Sequence, residues 1–357
     1  MGLPEINIVF KTKAAVTAKT ADRGTIAVII KDSGVNAGVF TVYPGDELPS
    51  KLTEENAAYL KAALVGNVTA PKKLIVYALA SDASDYAAAY AVLGGMNWDY
   101  LVLPHDVSSD LAEAAGAWIT TQRTDYQRKY KAVLPNVDAD KPYVVDLADG
   151  INGGTAAAFA ARTAGVICGT PLTQSITYVS VPEAKTCPQR TVKEANDAID
   201  EGKLILIHDG EKVKFGRGVN SMTTLTAEYN TNQWKSIKVV ETMDVIKDDL
   251  RKLYADNYVG QYTNDYDGKQ LLVSATMAYL EELAAKQIVG DAFTVELDVA
   301  KTKAYLKTVG RYAEGGSTDV GSTDAEILHA NTDGKVFLHG SIQIFDAIED
   351  IDLELGV

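Results

Sequence analysis

The residues of this chain that are capable of chemistry are scattered, and their spacings exclude more reactions than they permit. Gly202, Gly268 and Gly334 each precede a lysine, but none has glycine five residues earlier, so the phosphate-cradling G-x-x-x-x-G-K-S/T loop is absent. Gly216-Arg-Gly-Val-Asn-Ser221 begins like the dinucleotide fingerprint G-x-G-x-x-G. Serine stands at its final glycine, however, and it follows a strand late in the chain with no clear helix next. Tyr262-Thr-Asn-Asp-Tyr-Asp-Gly268 has the outline of a calcium loop. With Gly268 at the sixth position, threonine falls at the first and Ser274 at the twelfth, so the segment reads instead as a helix cap. His105, His208, His329 and His339 form no H-E-x-x-H and read as surface or strand-end histidines. Cys168 and Cys187 lack C-x-x-C spacing and read as free thiols of a reducing compartment. The spacings assign no metal ligand, no cofactor and no catalytic residue.

The elements that would have to position any site are better defined. From Gly154 to Val166 the chain is nearly all small apolar residues, a helix able to lie very close to a sheet or another helix. Gly169 stops it, Pro171 follows, and Ile176, Tyr178 and Val181 resume a β-like pattern. A glycine turn here could cradle a phosphate, but anions bind helix N-termini and Gly169 closes the opposite end, so the junction reads as a structural crossover. Upstream, Gly24 to Lys31, Lys73 to Leu79, Asp99 to Pro104, Lys131 to Leu134 and Tyr143 to Leu147 read as strands. Helices from Thr53 to Gly66, Asp85 to Leu93 and Ser108 or Ser109 to about Lys129 alternate with them, the order of an α/β body with a mainly parallel sheet.

Downstream, Thr191 caps a short helix, and Lys203 to Ile207 with Glu211 to Phe215 reads as a hairpin. Trp234 or Ser236 to about Tyr258, and Gly268 to about Ile288, read as long amphipathic helices of a second, α+β domain. Gly310 to Asp324 reads as a mobile surface loop and Lys335 to Ala347 as strand. The expected organisation is an N-terminal β-arm and tether over 1–22, an α/β domain over 23–230, an α+β domain over 231–345 and a C-terminal β-arm over 346–357.

Both arms alternate. Ile6, Ile8 and Phe10 share one face of the first, and Ile351, Leu353 and Leu355 one face of the second. Each leaves an apolar row and unpaired backbone groups, which strand addition to another copy would satisfy; the alternative is that the arms pair with each other inside one monomer. Their charges are opposite. Lys11, Lys13, Lys19 and Arg23 face only Glu5 and Asp22 in the first, whereas Asp346, Glu349, Asp350, Asp352 and Glu354 carry the second with no base. The net charge of -14 disfavours nucleic acid as a partner, and no apolar run approaches the roughly twenty residues of a membrane span. No basic-then-apolar leader opens the chain, which reads as cytoplasmic.

Ala164-Gly-Val-Ile-Cys-Gly-Thr-Pro-Leu-Thr-Gln-Ser-Ile-Thr-Tyr178 resembles the core of contractile phage tail sheath proteins, particularly the short sheaths of PBSX-like Gram-positive prophages and diffocin-like R-type bacteriocins. Gly2-Leu-Pro-Glu-Ile-Asn-Ile-Val-Phe10, Gly216 to Ser221, Val336-Phe-Leu and Asp346-Ala-Ile-Glu-Asp-Ile-Asp-Leu353 extend the resemblance, in order, over almost the whole chain. It implies an α/β domain of subtilisin-like topology without a catalytic triad, a C-terminal α+β domain, and extended terminal β-arms. The implied function is that of a sheath subunit, stacked as six-fold rings around an inner tube, linked by strand exchange, and contracting to drive the tube through a target envelope. Implied partners are further copies of the chain, the inner tube protein, and baseplate and terminator proteins. Implied too are assembly in the bacterial cytoplasm and release of the particle by lysis.

Subtilisin-like topology makes a serine triad worth testing. Asn220-Ser221-Met222-Thr223 distantly resembles the subtilase segment Gly-Thr-Ser-Met-Ala, but the flanking Gly-Thr and Ala are missing. No segment around His105, Asp146 or Asp149 matches the other subtilase motifs, and the chain reads as no enzyme. The rival reading is an α/β hydrolase-like or nucleotide-binding enzyme with an oligomerising C-terminal domain. Between states, the tethers at 13–20 and 347–350 are expected to absorb rearrangement.

Overall fold

A computed structural model describes residues 23–312 and 323–354. These residues form two compact units, one of residues 23–245 with 346–354, the other of the described residues between 246 and 345. The N-terminal arm with Ile6, Ile8 and Phe10, most of the glycine-rich loop, and Leu355 lie outside the described residues.

The larger unit is built on β1 (Thr25–Lys31), whose uninterrupted apolar run is buried on both faces as a central parallel strand requires. Then come β2 (Gly38–Val42), α1 (Glu54–Val65), β3 (Lys73–Leu79), α2 (Ala87–Leu93), β4 (Tyr100–Val102), α3 (Ser109–Thr124), β5 (Lys131–Pro135), β6 (Val144–Leu147) and α4 (Ala156–Gly169). α5 (Val192–Asp200), β7 (Lys203–Leu204), β8 (Leu206–His208), β9 (Val213–Phe215) and the first turns of α6 (Ile237–Asn257) complete it. A seven-stranded sheet runs β2-β3-β1-β4-β5-β6-β7, parallel throughout except for the antiparallel edge strand β2. Because side chains alternate along β1, it feeds two cores. Ile26, Val28 and Ile30 join the core containing Tyr59, Leu60, Ala160 and Ala164, while Ala27 and Ile29 join that of Leu93, Trp98, Ala115 and Ile119.

The Ala-rich helix α4 is central, as its composition predicts. Thr155 caps it by accepting from the Ala158 N–H at 3.2 Å. Its small residues permit near backbone contact, since a Cβ added at Gly165 would lie 2.3 Å from the Ala63 carbonyl oxygen. Gly165→Ala is therefore expected to destabilise by about 1–3 kcal/mol through forced separation of α1 and α4. Gly116 in α3 is the control, because an added Cβ there would make ordinary contacts, with Leu134 Cδ1 at 3.4 Å and Val137 Cγ1 at 3.8 Å. Gly116→Ala should be neutral or gain up to about 1 kcal/mol from helix propensity. Urea melts of the two variants check the contrast.

In the larger unit three expectations change. The extended stretch after Gly169 is irregular. Tyr178 sits at φ 58°, and the backbone serves β9, with Tyr178 N–H donating to Phe215 O at 3.1 Å and Val181 N–H to Val213 O at 2.9 Å. The run Lys203 to Ile207 divides between the main sheet through β7 and the β8–β9 hairpin. α3 stops at Thr124, short of Lys129, and the chain then turns through Gln127 at φ 52°. Thr191 does cap α5, in a reciprocal capping box with Glu194.

In the smaller unit, the remainder of α6 is followed by α7 (Tyr266–Ala285), β10 (Thr294–Leu297), α8 (Val299–Thr308), α9 (Asp324–His329) and β11 (Leu338–Ser341). Asp265 accepts from the Gly268 N–H at 2.7 Å, so the segment with the calcium-loop outline is the α7 cap. Only Leu338–Ser341 of the expected strand from Lys335 to Ala347 forms regular β structure. It pairs antiparallel with β10, and a Val289–Ile344 bridge prolongs the two-stranded ribbon.

Candidate functional site

The residues that would make a protease are otherwise engaged. Ser221 is fully buried, its hydroxyl donating to Lys141 O at 3.1 Å and accepting from the Lys141 N–H at 3.2 Å. It fastens the chain ahead of β6, and its own N–H donates to Val144 O at 2.8 Å. Asp149 holds Arg190 through two 2.7 Å bonds and accepts the Leu206 N–H. His208 Nδ1 accepts the Gly210 N–H, and His105 lies edge-on to Tyr59. None of these bonds couples Ser221 to a histidine or a histidine to a carboxylate. Among the described residues no cluster of three or more His, Cys, Asp and Glu could hold a metal ion.

Asp146 accepts the Val137 N–H at 2.9 Å, and burial pushes its carboxyl up to about 6. A carboxyl raised above its unfolded value costs stability as pH climbs from about 4 to the folded value. Asp146→Asn keeps the acceptor and removes that cost. It should gain on the order of 1–3 kcal/mol on the parent between pH 4 and 7, measured by denaturant melts at both pH values.

Charge is concentrated at two places in the larger unit. The first is buried beneath residue 23. Arg23 Nε meets Glu241 Oε2 at 2.6 Å and its Nη atoms donate to Thr170 O and Ile167 O, closing the C-terminal end of α4. Glu241 also meets Lys131 at 3.0 Å; Lys131 reaches Asp244 at 3.1 Å, and Arg123 grips Asp244 through bonds of 2.8 and 3.0 Å. Burial opposes ionisation of both carboxyls, yet Lys131 with Arg23 and Arg123 outweighs it and holds each down to about 2.

The second place gathers three of the stretches that carry the resemblance. The Glu349 carboxylate accepts from Ser175 Oγ at 2.9 Å, Thr177 Oγ1 at 2.5 Å and Arg217 Nε at 2.9 Å. Arg217 also pairs with Asp350, which raises its pKa further, and Ser236 Oγ donates to Asp346 at 3.3 Å. Ser175 and Thr177 come from the junction after α4, and Arg217 from Gly216 to Ser221. The carboxylates belong to the acidic C-terminal segment, 174 residues from Ser175 and 132 from Arg217. Fold topology alone brings them together.

Among the residues expected to act, Ile351 and Leu353 lie in this segment outside any strand, 82% and 72% exposed. Within the tether expected at 347–350, Glu349 and Asp350 are held to the larger unit by charge-assisted bonds. Sequence reasoning missed Ser175, Thr177 and Arg217 as a unit. The available signal was a base-free acidic tail, which needs a cation, and an arginine set between two glycines. It missed the buried network too, whose signal was Glu241 and Asp244 at helical spacing beside Val239, Val240 and Val245.

Residues 229–357 match the family model described as the phage tail sheath C-terminal domain. The chain is 32% identical to the tail sheath protein of Clostridium phage phiCD119 over 364 residues, covering 99% of each. In structure it is similar to the sheath tail protein of Desulfitobacterium hafniense, with a TM-score of 0.69 at 18% identity over 82% of this chain and 94% of that one. It is also similar to the helical sheath of the anti-feeding prophage in its contracted state, with a TM-score of 0.68 at 12% identity over 100% and 99%.

Proposed function

This chain belongs to the family of phage tail sheath proteins, and from that membership we propose that it works mechanically, as the repeating subunit of a contractile sheath with no catalytic residues. Six-fold rings of the subunit stack around an inner tube protein between a baseplate and a terminator. They assemble in the bacterial cytoplasm, and the particle leaves by lysis. Contraction reorients subunits whose larger unit, with its seven-stranded, mainly parallel sheet, moves as a body. That sheet supports a subtilisin-like topology. The absence of a triad accords with Ser221 being enclosed among backbone partners.

Strand exchange is the linkage. The observation that carries it is the C-terminal segment, which is tied down by its acidic residues while Ile348, Ile351 and Leu353 stand uncovered. Ile351, Leu353 and Leu355 of one copy, and Ile6, Ile8 and Phe10 of another, add strands to a neighbour. The β10–β11 ribbon is the acceptor the fold offers, because a two-stranded ribbon is marginal alone and among the described strands none pairs with its outer edges. Residues of opposite net charge in the two arms favour their adjacency in the completed sheet.

Negative-stain microscopy of concentrated protein, alone and coexpressed with its operon, tests the reading. Rings or tubes are expected; only compact particles under both conditions would refute it and favour the enzyme alternative.

A further inference from the structure

Segments that fold onto their own domain usually bury apolar side chains and leave carboxylates in water. At Glu349 the C-terminal segment does the reverse, although Asp350 and Asp352 beside it stay exposed. The Glu349 side chain is only 17% exposed, while Ile348 on one side of it is 88% exposed and Ile351 on the other 82%.

The receptor for Glu349 is arranged by backbone that owes nothing to the tail. The Thr177 N–H donates to Ser175 Oγ at 3.1 Å and the Gly218 N–H donates to Thr177 Oγ1 at 2.9 Å. Each hydroxyl thus accepts one backbone N–H, the two lie 2.9 Å from each other, and both are within hydrogen-bond reach of one Glu349 oxygen, to which each can donate. Ile176 between them is buried in the main core and fixes the loop. Gly218 packs closely on this loop, because an added Cβ would lie 3.0 Å from both Ile176 Cγ1 and Ser175 Oγ and would press on them. Arg217 supplies the charge to the other carboxylate oxygen and reaches on to Asp350.

We propose that Ser175, Thr177 and Arg217 are positioning residues, forming a carboxylate receptor for Glu349 that fixes where the C-terminal arm leaves the larger unit and presents residues beyond 350 outward to a second copy of this chain. The proposal rests on the strand-exchange reading above. Anchoring cuts the conformational entropy that the arm loses on docking, so its effect falls on assembly. In a sheath, tension along the arm would enter the sheet through this receptor.

The test uses full-length chains carrying Glu349→Gln, Ser175→Ala with Thr177→Val, Arg217→Lys, or deletion of 351–357, under conditions where the parent forms rings or tubes. Pelleting gives the concentration for half-maximal assembly, and thermal melts are run alongside. The expected result is a rise of tenfold or more for Glu349→Gln and for the double variant, with thermal midpoints near the parent's and partial recovery in Arg217→Lys, which keeps the charge. Parent-like assembly by Glu349→Gln and the double variant, while the deletion fails to assemble, overturns the receptor and leaves strand exchange standing. Loss of assembly that only tracks loss of thermal stability overturns it as well. Parent-like assembly by the deletion overturns strand exchange, and the receptor's role with it.

Discussion

Deleting residues 351–357, or making Leu353→Asp with Leu355→Asp, is expected to give soluble protein that melts cooperatively close to the parent and forms no sheath. Ile351 and Leu353 are largely exposed and belong to neither apolar core of the larger unit, so little folding energy depends on them. On a neighbour each would contribute about 1.5–3 kcal/mol before ordering costs. An arm of six or seven residues spans roughly 20 Å, the length of one added strand. One such link is weak, but links repeated around and between rings reinforce one another through effective concentration, so a modest loss per subunit is fatal to the lattice. Sedimentation and microscopy read the assembly and a thermal melt the fold. Normal sheath from either variant refutes the linkage, whereas an unfolded monomer favours pairing of the arms within one chain.

Glu241→Ala is expected to cost the fold about 3–5 kcal/mol, because it strands Arg23 and Lys131 in the interior without their shared carboxylate. Replacing the group as a whole by well-packed apolar residues should cost far less, since the penalty comes from the orphaned charges. The pH dependence has a defined sign. Glu241 and Asp244 are held down to about 2, below their unfolded values near 4. Their contribution is thus complete above about pH 5 and is lost as pH falls toward 2. Asp146, raised to about 6, acts in the opposite sense between 4 and 6. Denaturant melts of parent and Glu241→Ala from pH 2.5 to 7 should converge at the acid end. A gap as wide at pH 2.5 as at pH 7 would refute the electrostatic origin.

Much of the fold was legible because its signals are local. Apolar runs of strand length gave β1 and β3, Thr53 and Gly66 bounded α1, Thr191 and Glu194 wrote a capping box, and alanine with glycine marked α4 as closely packed. Where alternation ran on past a turn, the reading failed, as after Gly169 and again over Lys335 to Ala347. There the partner available to the backbone decides between strand and irregular chain, and periodicity carries no information about partners.

The sequence by itself determined the α/β body and the family, since composition, periodicity and motif order are properties of one chain read along its length. Only the tertiary structure decided which charges meet. Arg23 with Glu241 is a pairing across 218 residues, Arg217 with Glu349 across 132, and Ser175 with Glu349 across 174. An ion pair or hydrogen bond requires approach within about 3 Å, and that approach is set by how sheet, helices and tail pack, which no spacing along the chain encodes.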